Sequence, residues 1–178
     1  MPVRPATLDD AAGIAYVHVT SWQDAYHGLL PADFLNNLSV ERRSQQWENI
    51  LRVSHGHTLV YEHVSPDDGR QIVGFAGLGA CRDADFDSQT TGEIYAIYVT
   101  SAHWGRGYGA ALMQASIELL QKHSFKAVTL WVLQDNQRAI RFYARAGFVA
   151  DGHTKTETLP GGISSDVEVT ELRYWRTI

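Results

Sequence analysis

The chain predicts an α+β fold, a mixed sheet of six to seven strands with about four helices. Three stretches carry this reading. Residues 91–123 read as a strand, a glycine-rich turn and a helix. Residues 58–63 and 71–80 are strand-like runs joined by Ser65-Pro66-Asp67-Asp68-Gly69, a turn by composition, so they form a hairpin. Residues 148–158 and 167–176 make a second antiparallel pair around a loop, residues 159–166, that contains Pro160-Gly161-Gly162.

In chain order, residues 3–6 form a short first strand. Thr7 is an N-cap with Asp9 and Asp10 in the first turn of the following helix. Ile14, Val17, His18 and Ser21 recur near helical spacing, with Ala11, Ala15, Trp22 and Ala25 beside that stripe, which predicts a helix over residues 8–26. Gly28 and Pro31 end it, and residues 31–38 add another helical turn. Ser39 caps a helix to residue 52, with Trp47, Ile50 and Leu51 expected inside. Residues 82–89 are polar and read as a loop. On the helix over residues 107–123, Leu112, Ala115, Ser116, Leu119 and Leu120 share one face. Residues 127–133 form the next strand, and Asn136 caps a helix that stops at Gly147. With no linker, repeat or low-complexity segment, residues 1–178 are expected to be one domain.

Composition narrows the function. The 178 residues are 44% hydrophobic and 20% charged, ordinary for a globular protein with a sizeable core. A formal net charge of −5 disfavours a nucleic-acid binder and suits a cationic or neutral small substrate. The single cysteine, Cys81, forbids an internal disulfide and fits a reducing compartment. No apolar run approaches the roughly 18 residues of a membrane span. Residues 1–10 lack the basic-then-apolar pattern of a secretion signal. The expectation is a cytoplasmic protein with no membrane and no nucleic-acid partner.

The turn carries the chemistry. Gly105, Gly107 and Gly109 allow positive φ and close approach of a ligand. Unpaired N–H groups at the helix start, with the positive end of the macrodipole, make an anion site. Arg106 adds a cation able to reach a phosphate oxygen. A Walker A loop is excluded because no Gly-Lys-Ser/Thr follows. Gly105 to Ala110 formally matches a dinucleotide fingerprint, but Thr100 to Trp104 separate it from its strand, against a Rossmann order. His55 and His57 have no third ligand at a recognisable spacing, so no metal is expected. Cys81 has no activating partner in sequence and reads as a small strand-end residue.

Glu93-Ile-x-x-Ile-Tyr-Val99, a short spacer, Trp104-Gly-Arg-Gly-Tyr-Gly-Ala110 and a helix resemble the acyl-CoA-binding motif of the Gcn5-related N-acetyltransferase (GNAT) superfamily. Leu130-Trp-Val-Leu133, Asn136, Ala139-Ile140, Phe142-Tyr143 and Gly147-Phe148 resemble the second half of the same core, in the same order. The family usually has Arg or Gln where this chain has Trp104.

The resemblance implies that the strands over residues 93–99 and 128–133 run parallel and splay apart around acetyl-CoA as co-substrate. Ile97, Tyr98 and Val99 would offer backbone groups to the pantetheine arm. Trp104, Gly105, Arg106, Gly107, Tyr108, Gly109 and Ala110 would cradle the pyrophosphate. Asn136 has two compatible roles, helix cap and, by resemblance, a hydrogen bond to the arm. Tyr143 would point at the thioester sulfur as proton donor; its bland alternative is a core aromatic beside Phe142 and Phe148. A thiol pKa of about 8.5 against about 10 for tyrosine makes full proton transfer uphill by roughly 2 kcal/mol unless a dry site raises the thiolate's basicity. Glu93 is the candidate base for the amine, against a plain strand-end acid. Trp22, Asp24 and Tyr26 are the candidate acceptor residues.

The implied activity is acetyl transfer to a primary amine of a small molecule (polyamine-, amino-acid- or antibiotic-like) or of a peptide N-terminus. The alternative is a non-catalytic acyl-CoA-binding regulatory domain of the same fold. Homodimers are common in the superfamily, and nothing in the sequence fixes one here.

Overall fold

A computed structural model of the chain describes residues 2–53, 56–67, 69–160 and 165–178. The strands are β1 (Val3–Pro5), β2 (His57–Ser65), β3 (Gly69–Ala80), β4 (Thr91–Val99), β5 (Ala127–Leu133), β6 (Val149–Leu159) and β7 (Val167–Thr177). The α-helices are α1 (Ala11–Ala25), α2 (Ala32–Asn36), α3 (Val40–Val53), α4 (Tyr108–Lys122) and α5 (Gln137–Arg145). The seven strands form one mixed sheet in the order β1-β2-β3-β4-β5-β7-β6. The α+β class and the mixed sheet of six to seven strands are as expected. The described helices number five rather than about four, because the turn expected near Pro31 forms a short helix of its own.

Every neighbouring pair is antiparallel except β4 and β5. That parallel pair is short. It runs from Thr91 opposite Ala127 to Ile94 opposite Leu130 and stops, although β4 continues to Val99 and β5 to Leu133. Beyond Ile94, β4 remains paired with β3, and beyond Leu130, β5 remains paired with β7. The parting falls at a β-bulge, where Ala96 is opposite Gly77 and Ile94 opposite Leu78, leaving Tyr95 as the extra residue. A bulge bends its strand and increases the local twist.

Alternation along the strands feeds two faces. Leu78, Ile94, Val128 and Leu130 pack with Leu112, Met113, Ile117 and Leu120 of α4 and with Tyr143 and Phe148. On the other face, Val60 and Phe75 meet Ile14, Ala15 and Val17 of α1 and Trp47 of α3. Each fully buried Leu, Ile or Phe contributes about 1.5–3 kcal/mol, so these clusters fix the register of the central strands. A third cluster joins Tyr26, Leu30, Phe34 and Leu35 to Val169, which brings α2 and the segment after α1 onto the start of β7. Ile50 departs from expectation: it is 39% exposed. Trp47 and Leu51, four residues apart, share the stripe that faces the α1 cluster, and Ile50 is turned off it.

Candidate active site between two diverging strands

The parting of β4 from β5 leaves main-chain groups without a strand to bond. The Thr100 N–H donates to the Val73 carbonyl of β3 at 2.9 Å. Successive residues of a strand point their N–H and C=O groups to opposite sides, so Val99 and Ile97 present theirs away from β3, toward the opening. A cavity of about 750 Å³ occupies this space. Ile97, Tyr98 and Val99 line one bank; Arg138, Phe142 and Tyr143 of α5 line the other; Met113 and Ile117 of α4 also face it.

The turn after β4 closes one end. Trp104, Gly105, Gly107, Tyr108, Gly109 and Ala110 all line the cavity. Gly105 and Gly107 have φ of +75° and +83°, the left-handed region in which a side chain is strained. Gly107 is the N-cap of α4, so the first N–H groups of that helix are free of intrahelical acceptors and open beside the cavity. Tyr108 stacks on Tyr61 at 4.1 Å and meets the Nδ1 of His63 at 3.1 Å through its hydroxyl, which pins the helix start to β2. His103 also lines the cavity, and burial lowers its pKa, with His63 and Arg106 adding to the effect.

Asn136 accepts a hydrogen bond from the Ala139 N–H at 3.1 Å, the side-chain cap expected of it, and is 7% exposed. Tyr143 is buried at the cavity. Desolvation pushes its pKa well above the ordinary tyrosine value, Tyr98 adds to the rise, and the cation of Arg138 opposes it. Tyr143 is therefore a neutral phenol at physiological pH, a proton donor in character. The hydroxyls of Tyr26 and Tyr98 lie 3.3 Å apart. Burial raises the pKa of both, so they too are neutral.

Glu93 is 1% exposed and is absent from the cavity wall. Its oxygens are held by Arg82, Nη2 to Oε1 at 2.5 Å and Nε to Oε2 at 3.1 Å, and the Arg82 N–H donates to Oε2 at 3.0 Å. Asp24 accepts from the Ser101 hydroxyl, which ties the end of α1 to the segment after β4. Trp22 packs edge-on against Tyr26 at 5.2 Å. Thus Tyr143, Ile97, Tyr98, Val99 and the turn apart from Arg106 share one cavity, Asn136 caps the helix beside it, and Arg106, Trp22, Asp24, Tyr26 and Glu93 are not on its wall. Cys81 is buried with its thiol raised by burial. His57 faces His123 at 4.4 Å, while His55 lies outside the described residues, as do residues 161–164 of the loop between the last strands.

Sequence reading missed the basic wall of α5. Arg138, Arg141 and Arg145 all line the cavity. Their spacing of three and four residues puts them on one helical face, a pattern readable in the chain beforehand. It also missed Met113 and Phe142, apolar residues with no signal to separate them from core.

The Acetyltransferase (GNAT) family matches residues 20–148. The uncharacterized N-acetyltransferase YuaI of Bacillus subtilis is 33% identical over 142 residues, which cover 80% of this chain and 77% of that protein. With an uncharacterized N-acetyltransferase of Methanocaldococcus jannaschii the identity is 37% over 76 residues, 43% of this chain and 34% of that one. Among solved structures, yncA of Salmonella typhimurium, determined with its cofactor acetyl-CoA, superposes with a TM-score of 0.66 at 20% identity, covering 98% of this chain and 92% of that one. Among the described residues no helix is long and apolar enough to cross a membrane. A seven-stranded mixed sheet that opens between β4 and β5, a glycine turn at the opening and a family match over most of the length agree, and the chain belongs to the GNAT acetyltransferase family.

Proposed function

We propose that the protein is an N-acetyltransferase that moves an acetyl group from acetyl-CoA to a primary amine by direct attack. The observation that carries this is the incomplete β4–β5 pair: four residues bonded, then a free strand edge leading to the glycine turn. An extended arm bearing amides can complete such an edge as an added strand. The free N–H groups at the start of α4, with Arg106 close by in sequence and Arg138, Arg141 and Arg145 on the cavity wall, suit the phosphates.

In this reading the Ile97 and Val99 main chain and Tyr98 hold the arm, and the main chain of residues 104–110 holds the pyrophosphate. Asn136 fixes α5 so that Tyr143 meets the sulfur. The amine nitrogen bonds to the thioester carbonyl carbon and the C–S bond breaks. Tyr143 donates its proton toward the leaving thiolate, and the amine's proton departs through water toward Glu93. Arg82 must loosen its grip for Glu93 to receive it. A Glu93→Gln form with the wild-type pH–rate profile removes Glu93 from that role. Trp22, Asp24 and Tyr26 are proposed to border the acceptor, a small-molecule amine or a peptide N-terminus.

Thermal shift with acetyl-CoA and with NAD, followed by thiol release over a panel of amines, tests the proposal. Stabilisation by acetyl-CoA alone, with amine-dependent thiol release, is the expected result. Stabilisation by acetyl-CoA without release for any amine favours a non-catalytic acyl-CoA-binding domain, and stabilisation by NAD alone refutes both.

A further inference from the structure

Trp104 and Arg138 stand on opposite banks of the opening, Trp104 in the segment after β4 and Arg138 on the helix after β5. Yet they touch. The Arg138 guanidinium carbon lies 3.2 Å from the centroid of the Trp104 ring, so the contact joins the segment after β4 to α5 at the cavity wall. The same indole donates its N–H to the Val99 carbonyl at 2.7 Å. That carbonyl belongs to the free edge of β4, because the neighbouring Thr100 already bonds to β3.

One side chain of the protein thus occupies a main-chain acceptor that faces the opening, and a second side chain from the far bank covers its ring. An arm that joins the edge of β4 as an added strand uses the same N–H and C=O groups that a neighbouring strand would use. At Val99 the arm and the indole compete for the same carbonyl. A hydrogen bond and a cation–π contact of this kind are each modest, so an incoming ligand with several contacts can displace them.

We propose that Trp104 is an internal competitor for the carrier's backbone site: its indole holds the Val99 carbonyl and leans on Arg138, and acetyl-CoA enters by displacing it. The proposal rests on the acetyl-CoA reading above. Displacement also uncovers the Arg138 guanidinium inside the cavity, where the carrier lies.

Calorimetric titration with CoA of the wild-type chain and of Trp104→Phe is the test. Phenylalanine keeps an aromatic ring and loses the N–H. Trp104→Phe is expected to bind CoA about three- to tenfold more tightly, the worth of one competing hydrogen bond. Unchanged affinity makes the indole a bystander, and weaker affinity makes it a direct contact; either result overturns the proposal. A second measurement needs only the unsubstituted protein. The Trp104 indole N–H resonance, assigned by its absence from Trp104→Phe, must move on saturation with CoA, and a stationary peak overturns the proposal. A wild-type chain that does not bind CoA defeats the acetyl-CoA reading itself and this inference with it. A wild type that binds CoA beside an unaffected Trp104→Phe defeats this inference alone.

Discussion

The first four residues of β4 and its last four live in different surroundings. Gly92, Glu93 and Ile94 are paired on both sides, Thr91 is paired with β5 and accepts from the Cys81 N–H, and all four are buried. Among the described strands, Ala96, Ile97, Tyr98 and Val99 pair with β3 alone, and they are half-buried. Tyr95 divides the two. It is the bulged residue; its hydroxyl donates to the Ala80 carbonyl at 2.7 Å, and its ring lies under Arg82 at 4.3 Å. Glycine at position 79 makes room for it, since an added Cβ would come within 2.5 Å of the Tyr95 hydroxyl oxygen. The closed half clamps the sheet, and the open half spends a ladder of hydrogen bonds to leave an edge for a ligand. Stability and function therefore separate along a single strand.

The separation is tested most severely at Tyr143, on the open side. Tyr143→Phe should lower turnover by about 10² to 10⁴, the usual worth of a general acid, while acetyl-CoA affinity and melting temperature stay near wild type. Activity within about threefold of wild type would mean that Tyr143 is a core aromatic. On the closed side Leu130 is the opposite case. It is 1% exposed and ends the paired stretch. Leu130→Ala should cost about 2–5 kcal/mol of unfolding free energy through a cavity in the core, measured by denaturant titration. A cost below about 1 kcal/mol would show that the short parallel pair does not clamp the sheet.

The same division explains what the sequence made legible. The strands of the core, the bounds of β4 and β5 and the cap at Asn136 follow from apolar runs, glycines and an asparagine whose local effects agree with the tertiary structure. The turn at Gly105 and Gly107 was legible for the same reason, because left-handed φ leaves glycine as the unstrained choice. The splay itself was reached through family resemblance, since pairing that stops after Ile94 depends on a register between residues more than thirty apart in sequence. The grip of Arg82 on Glu93 was illegible too: it comes from the loop after β3, which reads only as polar. Ile50 shows the limit of helical periodicity, which locates a stripe but not its width.

The open half is supported from behind by an uncharged histidine, and this gives the comparison a pH dependence. His18 on α1 accepts a hydrogen bond from the Trp47 indole N–H at its Nδ1, 3.2 Å away, and stacks on Tyr98 at 5.4 Å. Burial lowers its pKa from 6.5 to about 3, with a smaller contribution from the charge of Arg43. A histidine whose folded pKa is depressed stabilises the fold fully above its unfolded value. That stability is lost as pH falls from 6.5 toward 3, because the unfolded chain takes up a proton that the folded one refuses. Between pH 7 and pH 5 the loss from this one group should be about 2 kcal/mol. Asp10, held ionised by Arg4, loses stability in acid as well, so the measurement must be a difference. His18→Gln can still accept the Trp47 N–H and has no proton to gain. Denaturant titrations at pH 7 and pH 5 should show the variant losing about 2 kcal/mol less than wild type over that interval. Equal losses would mean that His18 is charged or solvated in the folded chain, and that the back of the open half is not the dry aromatic layer formed by His18, Trp47, Phe75 and Tyr98.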